Sequence, residues 1–420
     1  MKLKLLLSFF LFSCLVTAKG QDTRAFAITG QTAKNFNWTD IRVIDLQTGN
    51  VSQTLFENGK TKFNFQDAVS RQIVRNFIQP VGNVQANTIQ SGEISPTMLM
   101  SAATAYDKRH EKLFFASMRT NRLVWLDTKQ MNGISSFYTI DQPLIDNPDI
   151  NNEALNITRM AIGADGNGYA LTNDGTHLIR FLTGKKIIIS DLGSLQDAPG
   201  NNGISIHNQC SSWGGDMVAD AFGKLYLFTA TKNVFVIDPN TRVASYKGAI
   251  VNLTPTFTLN GAAVIDDNNV LISSANTFEG FYKINIDDLT SKKVVTDGQI
   301  FNASDLASCN LLKETDKKNT LGTPALANLE AIGNKFISVY PNPVSNSQFK
   351  ITFDHNPAGK YMIELNDLQG RLIERRVSYI KSIGQVENFR LQRKQAAGIY
   401  MIKITDGNNK IVFSDKLIVQ

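Results

Sequence analysis

Between residues 25 and 310 the chain alternates short apolar strands with polar turns, in the period-2 pattern of β-structure. Four segments repeat one order: a small or apolar strand, a turn holding an aspartate, then a second apolar strand. They are SAATAYDKRHEKLFFAS from Ser101, TRMAIGADGNGYALT from Thr158, GGDMVADAFGKLYLFT from Gly214 and NGAAVIDDNNVLISS from Asn260. The turn aspartates are Asp107, Asp165, Asp220 and Asp266. Aspartate suits a turn because its carboxylate accepts from the backbone N–H two residues on. About twenty residues later, three units carry a third strand ending in another aspartate, at Asp127, Asp238 and Asp287, while the unit at Asp165 has LIRFLTG. A fourth, β-rich strand follows each, as in KKIIIS and SKKVVT.

Four antiparallel strands per repeat, with repeats of 46 to 58 residues, predict the blades of a β-propeller. The two ends of the region complement each other. RAFAITG, IRVIDLQTG and NVSQTLF supply the last three strands of a blade, and ASDLASC near residue 305 supplies the missing first strand. Joining them closes a ring of five blades; a sixth would require a degenerate blade hidden in residues 57–99. That segment is predicted instead to be an insertion with a helix, because FQDAVSRQIVRNFI has apolar residues at helical spacing.

Aligning the inner strands on the turn aspartate puts Ala103, Ala161, Asp216, Ala262 and Asp305 in one ring around the axis. A second ring holds Ala105, Gly163, Val218, Val264 and Ala307. Small residues are expected where five strands converge; two carboxylates are not. Asp216 and Asp305 are therefore the sharpest ligand-binding candidates, as a cation site or an acid pair acting on a sugar, against a structural role capping nearby N–H groups. Trp213 precedes Asp216 on an entering loop and offers a stacking surface, and Arg159 near the same rim offers a partner for an anion. Cys210 and Cys309 fall at opposite ends of their strands, which argues against a disulfide. Asp165–Gly166–Asn167–Gly168 resembles part of a calcium loop, but its place in the repeat makes it a hairpin turn.

The chain ends read differently. Residues 1–20 have a cationic start at Lys2 and Lys4, an apolar run from Leu5 to Val16, and small residues at Ala18 and Gly20, the layout of a secretory signal peptide. The run is too short to span a bilayer, no later segment is long enough, and the mature chain is expected to lack a transmembrane segment. Cys14 raises lipidation, but Phe12 is bulky for that cleavage site and the apolar run continues past the cysteine. Residues 311–335 form a polar linker. From 336 to 420 short strands and hairpin turns predict a small β-sandwich.

Within this last segment Val339–Tyr340–Pro341–Asn342–Pro343–Val344, then Leu365–Asn366–Asp367–Leu368–Gln369–Gly370–Arg371, then Gly398–Ile399–Tyr400 and a final strand through Lys416 stand in a characteristic order. The segment resembles the type IX secretion C-terminal sorting domain of Bacteroidota-type bacteria, in its subtype A form. The resemblance covers about a fifth of the chain and assigns the sorting motif to Pro341, Asn342, Pro343, Gly370, Gly398, Tyr400 and Lys416. It implies passage through the inner membrane by the signal peptide, then across the outer membrane by this domain, with the type IX machinery as partner. The cargo is then released or held at the cell surface.

Composition narrows the rest. Of 420 residues, 42% are hydrophobic and 19% charged, so the chain is neither disordered nor of low complexity. The net charge of +6 is unevenly spread: residues 1–20 hold three basic and no acidic residues, and residues 336–420 hold twelve basic and seven acidic. The remainder has 28 basic against 30 acidic residues, so the propeller is not a basic surface for nucleic acid. No GxSxG elbow, HExxH helix or P-loop occurs. His110, His177, His207 and His355 fall on separate segments. No catalytic residue, metal-ligand set or cofactor is assigned, apart from the cation that an acid pair at the channel mouth would accept. The expectation is an all-β secreted or surface protein whose propeller binds a glycan or a protein. An extracellular lyase or hydrolase with its site at the channel mouth is the competing class.

Overall fold

The structure is a computed structural model that describes residues 21–32, 35–74, 95–97, 100–131, 133–149, 151–320, 337–344, 348–353, 358–367, 371–382, 384–391, 396, 398–407 and 411–419. The expected signal peptide, Gly370, His355 and most of the linker lie outside these residues. The chain divides between Thr315 and Asp316 into two compact units.

The first unit contains five sheets. Blade 1 runs outward from Ala303–Ala307 through Arg24–Thr29 and Asp40–Asp45 to Val51–Phe56. Blades 2 to 5 begin at inner strands Ser101–Asp107, Ile157–Ile162, Asp216–Ala219 and Gly261–Asp266. Neighbouring inner strands touch all the way round, so the five sheets form a closed ring. Closure occurs where the complementary ends predicted it: Ala303–Ala307 pairs antiparallel with Arg24–Thr29, setting Phe26 opposite Ala307 and Ile28 opposite Asp305.

Every blade is buried on both faces. Five apolar cores lie between consecutive blades, among them Phe26, Ile28 and Phe56 against Tyr106, Phe115 and Phe137, and Val218 and Phe228 against Val264 and Ile272. This is why strands such as KLFFAS and LYLF read as apolar runs rather than as alternating ones.

The turn chemistry is as the repeat implies. Asp107, Asp165, Asp220 and Asp266 each accept from the backbone N–H two residues on, at 2.9, 3.1, 2.9 and 3.1 Å. Asp127 and Asp238 do the same at the outer turns, both at 2.9 Å. In blade 5 the acceptor is Asn285, bonded to the Asp287 N–H at 2.9 Å, so Asp287 is the donor rather than the turn-former. The run from Asp165 to Gly168 is a hairpin turn, with Gly166 at φ +78°. Gly163 also belongs to this turn, and Ile162 rather than Gly163 ends the inner strand.

The helix expected in residues 65–78 is not present in its described part. Phe63–Asp67 is a strand, parallel to Ile134–Pro143, that adds a fifth member to blade 2. Asp67 then caps a turn, accepting from the N–H groups of Val69 and Ser70 at 3.0 and 2.7 Å. Packing overrides helical spacing here. Phe65 is buried, and Phe63 meets the rings of Phe56 and Phe137 edge-on at 5.9 and 6.2 Å. Cys210 and Cys309 are both free thiols, as their opposite placement argued, and burial raises the pKa of Cys309.

The second unit is a sandwich of a three-stranded sheet (Ile337–Tyr340, Gln348–Phe353, Gln385–Arg390) and a four-stranded one (Leu372–Ile380, Gly359–Asn366, Gly398–Thr405, Ile411–Val419). Its core includes Phe349, Phe353, Leu365, Phe389, Ile402 and Leu417. No helix among the described residues is long and apolar enough to cross a membrane.

The strand at Phe63–Asp67 separates two substitutions that a helix would treat alike. Phe65→Ala is expected to cost about 3–5 kcal/mol, and Val69→Ala, at an exposed turn position, less than about 0.5 kcal/mol. Urea unfolding followed by tryptophan fluorescence reads both, since Trp38, Trp125 and Trp213 all lie in the propeller.

Candidate functional site

The axis is where the sequence concentrates its unusual residues, and the structure fills it. Ala105, Ala161, Val218, Ala262, Val264 and Ala307 surround an axial cavity of about 20 Å³, room for a single water molecule. The small-residue ring thus lets five strands meet without leaving a tunnel.

Asp216 and Asp305 come together beside this plug, each fully buried. Two glycines make the approach possible. Gly215, at φ +91°, turns the chain into the inner strand of blade 4 where a Cβ would lie 1.8 Å from the Phe228 carbonyl oxygen. At Gly261 a Cβ would come within 2.9 Å of the Asp305 backbone. Asp216 is well held: Oδ1 accepts from the N–H of Met217 and Oδ2 from the N–H of Ala262, both at 2.6 Å. It thereby ties blade 4 to blade 5. Burial raises the pKa of both carboxyl groups; the charge of Asp216 raises that of Asp305 further, whereas backbone N–H groups and the contact with Asp305 pull that of Asp216 back down.

Arg159 is also fully buried. It donates to the carbonyls of Gly214 (3.0 Å), Thr172 (2.7 Å), Asn173 (3.1 Å) and Ser212. Burial lowers its pKa to about 9, opposed by the charges of Asp174 and Asp216, so it stays cationic at neutral pH. It is a clamp between blade 3 and the loop entering blade 4, with no open rim around it. Trp213 sits on that loop, half-buried after the short helix Gln209–Ser212, and its Nε1 donates to the His207 carbonyl at 3.3 Å. The four residues chosen from the sequence are therefore neighbours, but the acid pair and Arg159 are sealed, and Trp213 alone retains exposed surface.

The two faces of the ring differ. Where inner strands end, connections are tight turns such as 108–111, 220–224 and 267–268. Where they begin, longer loops emerge, including 30–39, 144–156, 198–215, 250–260 and 274–281. On this face Phe36 is 49% exposed and meets the ring of Phe278 at 5.3 Å. Neither phenylalanine stands out in the sequence, because each lies in a polar loop outside the repeat. The contrast in loop length was the available signal.

The described histidines have separate partners. His110 Nδ1 meets Asp107 at 2.6 Å, His177 Nδ1 meets Asp191 at 2.6 Å, and His207 contacts the carbonyls of Asp174 and Leu195. No group of three or more His, Cys, Asp or Glu side chains able to hold a metal ion occurs among the described residues.

In the C-terminal unit the motif residues lock the last strand. Between Pro341 and Pro343, Asn342 donates through Nδ2 to the Lys416 carbonyl at 2.7 Å and accepts at Oδ1 from the Ile418 N–H at 2.8 Å. Val344 continues this contact, its N–H donating to the Ile418 carbonyl at 2.6 Å. Gly398 opens the neighbouring strand, and buried Tyr400 donates its hydroxyl to the Ala396 carbonyl at 2.9 Å. The Lys416 side chain points to solvent.

Replacing Arg159 with leucine would remove a donor from four backbone carbonyls, of which Thr172 keeps the Gly175 N–H at 3.1 Å. A loss of about 3–5 kcal/mol is expected, of the size seen when one partner of a buried charged contact is removed. Differential unfolding against the unmodified chain measures it.

Among solved structures the chain resembles PorZ, a surface component of the type IX secretion system of Porphyromonas gingivalis, at 12% identity and a TM-score of 0.32. That match covers 94% of this chain and 51% of PorZ, so the chain spans about half that protein's length. It also resembles a chain of the nidogen/laminin complex (11% identity, TM-score 0.36, covering 68% of this chain and 97% of that one). A streptogramin B lyase matches at 12% identity and a TM-score of 0.31, over 62% of this chain and 77% of the lyase. No curated protein matches the sequence. The secretion system C-terminal sorting domain family matches residues 338–420, over the strands and the Asn342 lock just described. The C-terminal module is therefore a type IX secretion sorting domain, and it marks the chain as secreted cargo.

Proposed function

We propose that the propeller is a binding module which the sorting domain delivers outside the cell, and that it engages its ligand through the face where the inner strands begin. The observation that carries this reading is the asymmetry of the ring. Long loops gather on that face and expose the Phe36–Phe278 ring pair and part of Trp213, while the opposite face is closed by tight turns. A rigid ring holds such loops at little entropic cost to binding, and exposed aromatic side chains are the usual anchors of recognition.

A glycan is the favoured ligand. An open groove of about 750 Å³ between blades 1 and 5 is lined by Thr54, Glu57, Asp297 and Gln299, polar groups that complement hydroxyl-rich molecules. The competing enzymatic reading needs reacting groups within reach of a substrate. The sealed Asp216–Asp305 pair speaks against a catalytic site at the axis.

Two experiments test these points. Screening the full chain on a glycan array should identify a bound oligosaccharide. The double substitution Phe36→Ala and Phe278→Ala should then weaken it about tenfold or more, equal to ~1.4 kcal/mol, with the fold intact by circular dichroism. Unchanged affinity would remove this face from the proposal. Separately, deleting residues 337–420 should leave the propeller in the periplasm; appearance of the truncated chain in the medium would contradict type IX export.

A further inference from the structure

The binding proposal leaves unexplained the Asp216–Asp305 pair, two acids buried side by side at the centre of the ring. Asp216 comes from blade 4 and Asp305 from the strand that completes blade 1. Their environments are unequal. Asp216 accepts two short hydrogen bonds from backbone N–H groups, one on each oxygen. Neither oxygen of Asp305 receives a hydrogen bond from any described residue. The N–H groups of Thr104 and Leu306 lie close enough to favour its anion, but neither meets the distance and angle of a hydrogen bond.

As a carboxylate, Asp305 would be a buried anion beside a second anion, eased only by two poorly aligned N–H groups, which is strongly unfavourable. As a carboxylic acid it has a donor of its own, and the Asp216 carboxylate is the acceptor within reach. Charges around the pair fit one anion rather than two. The inner strands of blades 2 and 5 contribute Ala103 and Ala262 at this level, and blade 3 contributes Ala161 with Arg159 farther along the strand. Among the described residues of the five inner strands, Arg159 is the one cation near the pair, and it is also attracted to Asp174.

We propose that Asp305 is a protonated carboxylic acid that donates to the Asp216 carboxylate, so that a single trapped proton fastens the closing strand to blade 4. Asp216 in turn accepts from Ala262 of blade 5, and Ser304 Oγ donates to the Ser101 carbonyl of blade 2 at 2.6 Å. The proton therefore lies at the point where the closing strand meets the rest of the ring. Burial and the neighbouring acid make the folded state hold this proton more tightly than the unfolded chain, where an aspartate titrates near 4. The sign follows: the contribution is fully present below about pH 4, and it declines as pH rises until the folded pair also loses the proton. The closure is acid-tolerant and weakens toward alkaline pH.

The test is urea unfolding of the full chain at several pH values between 5 and 9, read by tryptophan fluorescence, which reports the propeller alone. In Asp305→Asn the amide N–H replaces the acid proton without titrating. The folding constant of this variant relative to the unmodified chain should rise with pH, by as much as about tenfold per unit. Asp216→Asn should be strongly destabilised or fail to fold, because an amide cannot accept from both Met217 and Ala262 as the carboxylate does. In the unmodified chain an infrared band of a protonated carboxyl group should persist at neutral pH and vanish in Asp305→Asn. The proposal is overturned if Asp305→Asn loses as much stability as Asp216→Asn, if it fails to fold, or if its pH dependence parallels that of the unmodified chain.

Discussion

Each blade of this propeller is apolar on both faces, so no blade is stable with a neighbour on one side only. Five inter-blade cores share the burial, and the last of them exists only when the ring is closed. The pairing of Ala303–Ala307 with Arg24–Thr29, more than 270 residues apart in the chain, is therefore the contact on which the others depend. It converts an open stack with two exposed apolar ends into a ring with none. The same closure compresses the axis, which explains why alanine, valine and glycine stand where the strands converge, and why a carboxyl group there must be satisfied by N–H groups or by a proton.

The division of labour between the two faces follows from turn chemistry. An aspartate that accepts the N–H two residues on makes a hairpin of minimal length, and the repeat places one at the same end of inner strand after inner strand. That face has little chain left with which to form a binding surface. The opposite face carries the crossings from blade to blade, whose lengths are free to vary. Arg159 stabilises that variable side from beneath, fixing the loop that bears Trp213 through bonds to Ser212 and Gly214. Stability is concentrated under the loops, and their tips are left free to vary.

The sorting domain uses a different economy. Its sandwich has a separate core, and its distinctive loop spends the Asn342 amide on the backbone of the final strand rather than on a ligand. The motif reads as a device that fixes the end of the chain into one conformation, with both hydrogen-bonding functions of the amide used. Most of the excess positive charge belongs to this domain and to the first twenty residues, leaving the propeller close to neutral.

The order of elements was legible in the sequence because it depends on local chemistry: apolar runs for strands buried on both faces, Asp-x-x turns between them, and complementary ends that require closure. Asn342 was singled out by the resemblance of its segment to the sorting-domain motif, without its bonding being visible. What escaped depended on distance in space. Phe63–Asp67 has helical spacing in its surroundings, but the Phe56 and Phe137 rings beside it make it a strand. Asp216 and Asp305 could be aligned to one ring from the repeat alone, yet whether that ring opened to solvent was set by how tightly five strands pack around the axis. Local sequence determined which segments would be strands and which would turn. Only the closed ring decided which polar groups are shut away from water, because burial is a property of neighbours that the chain brings together from its two ends.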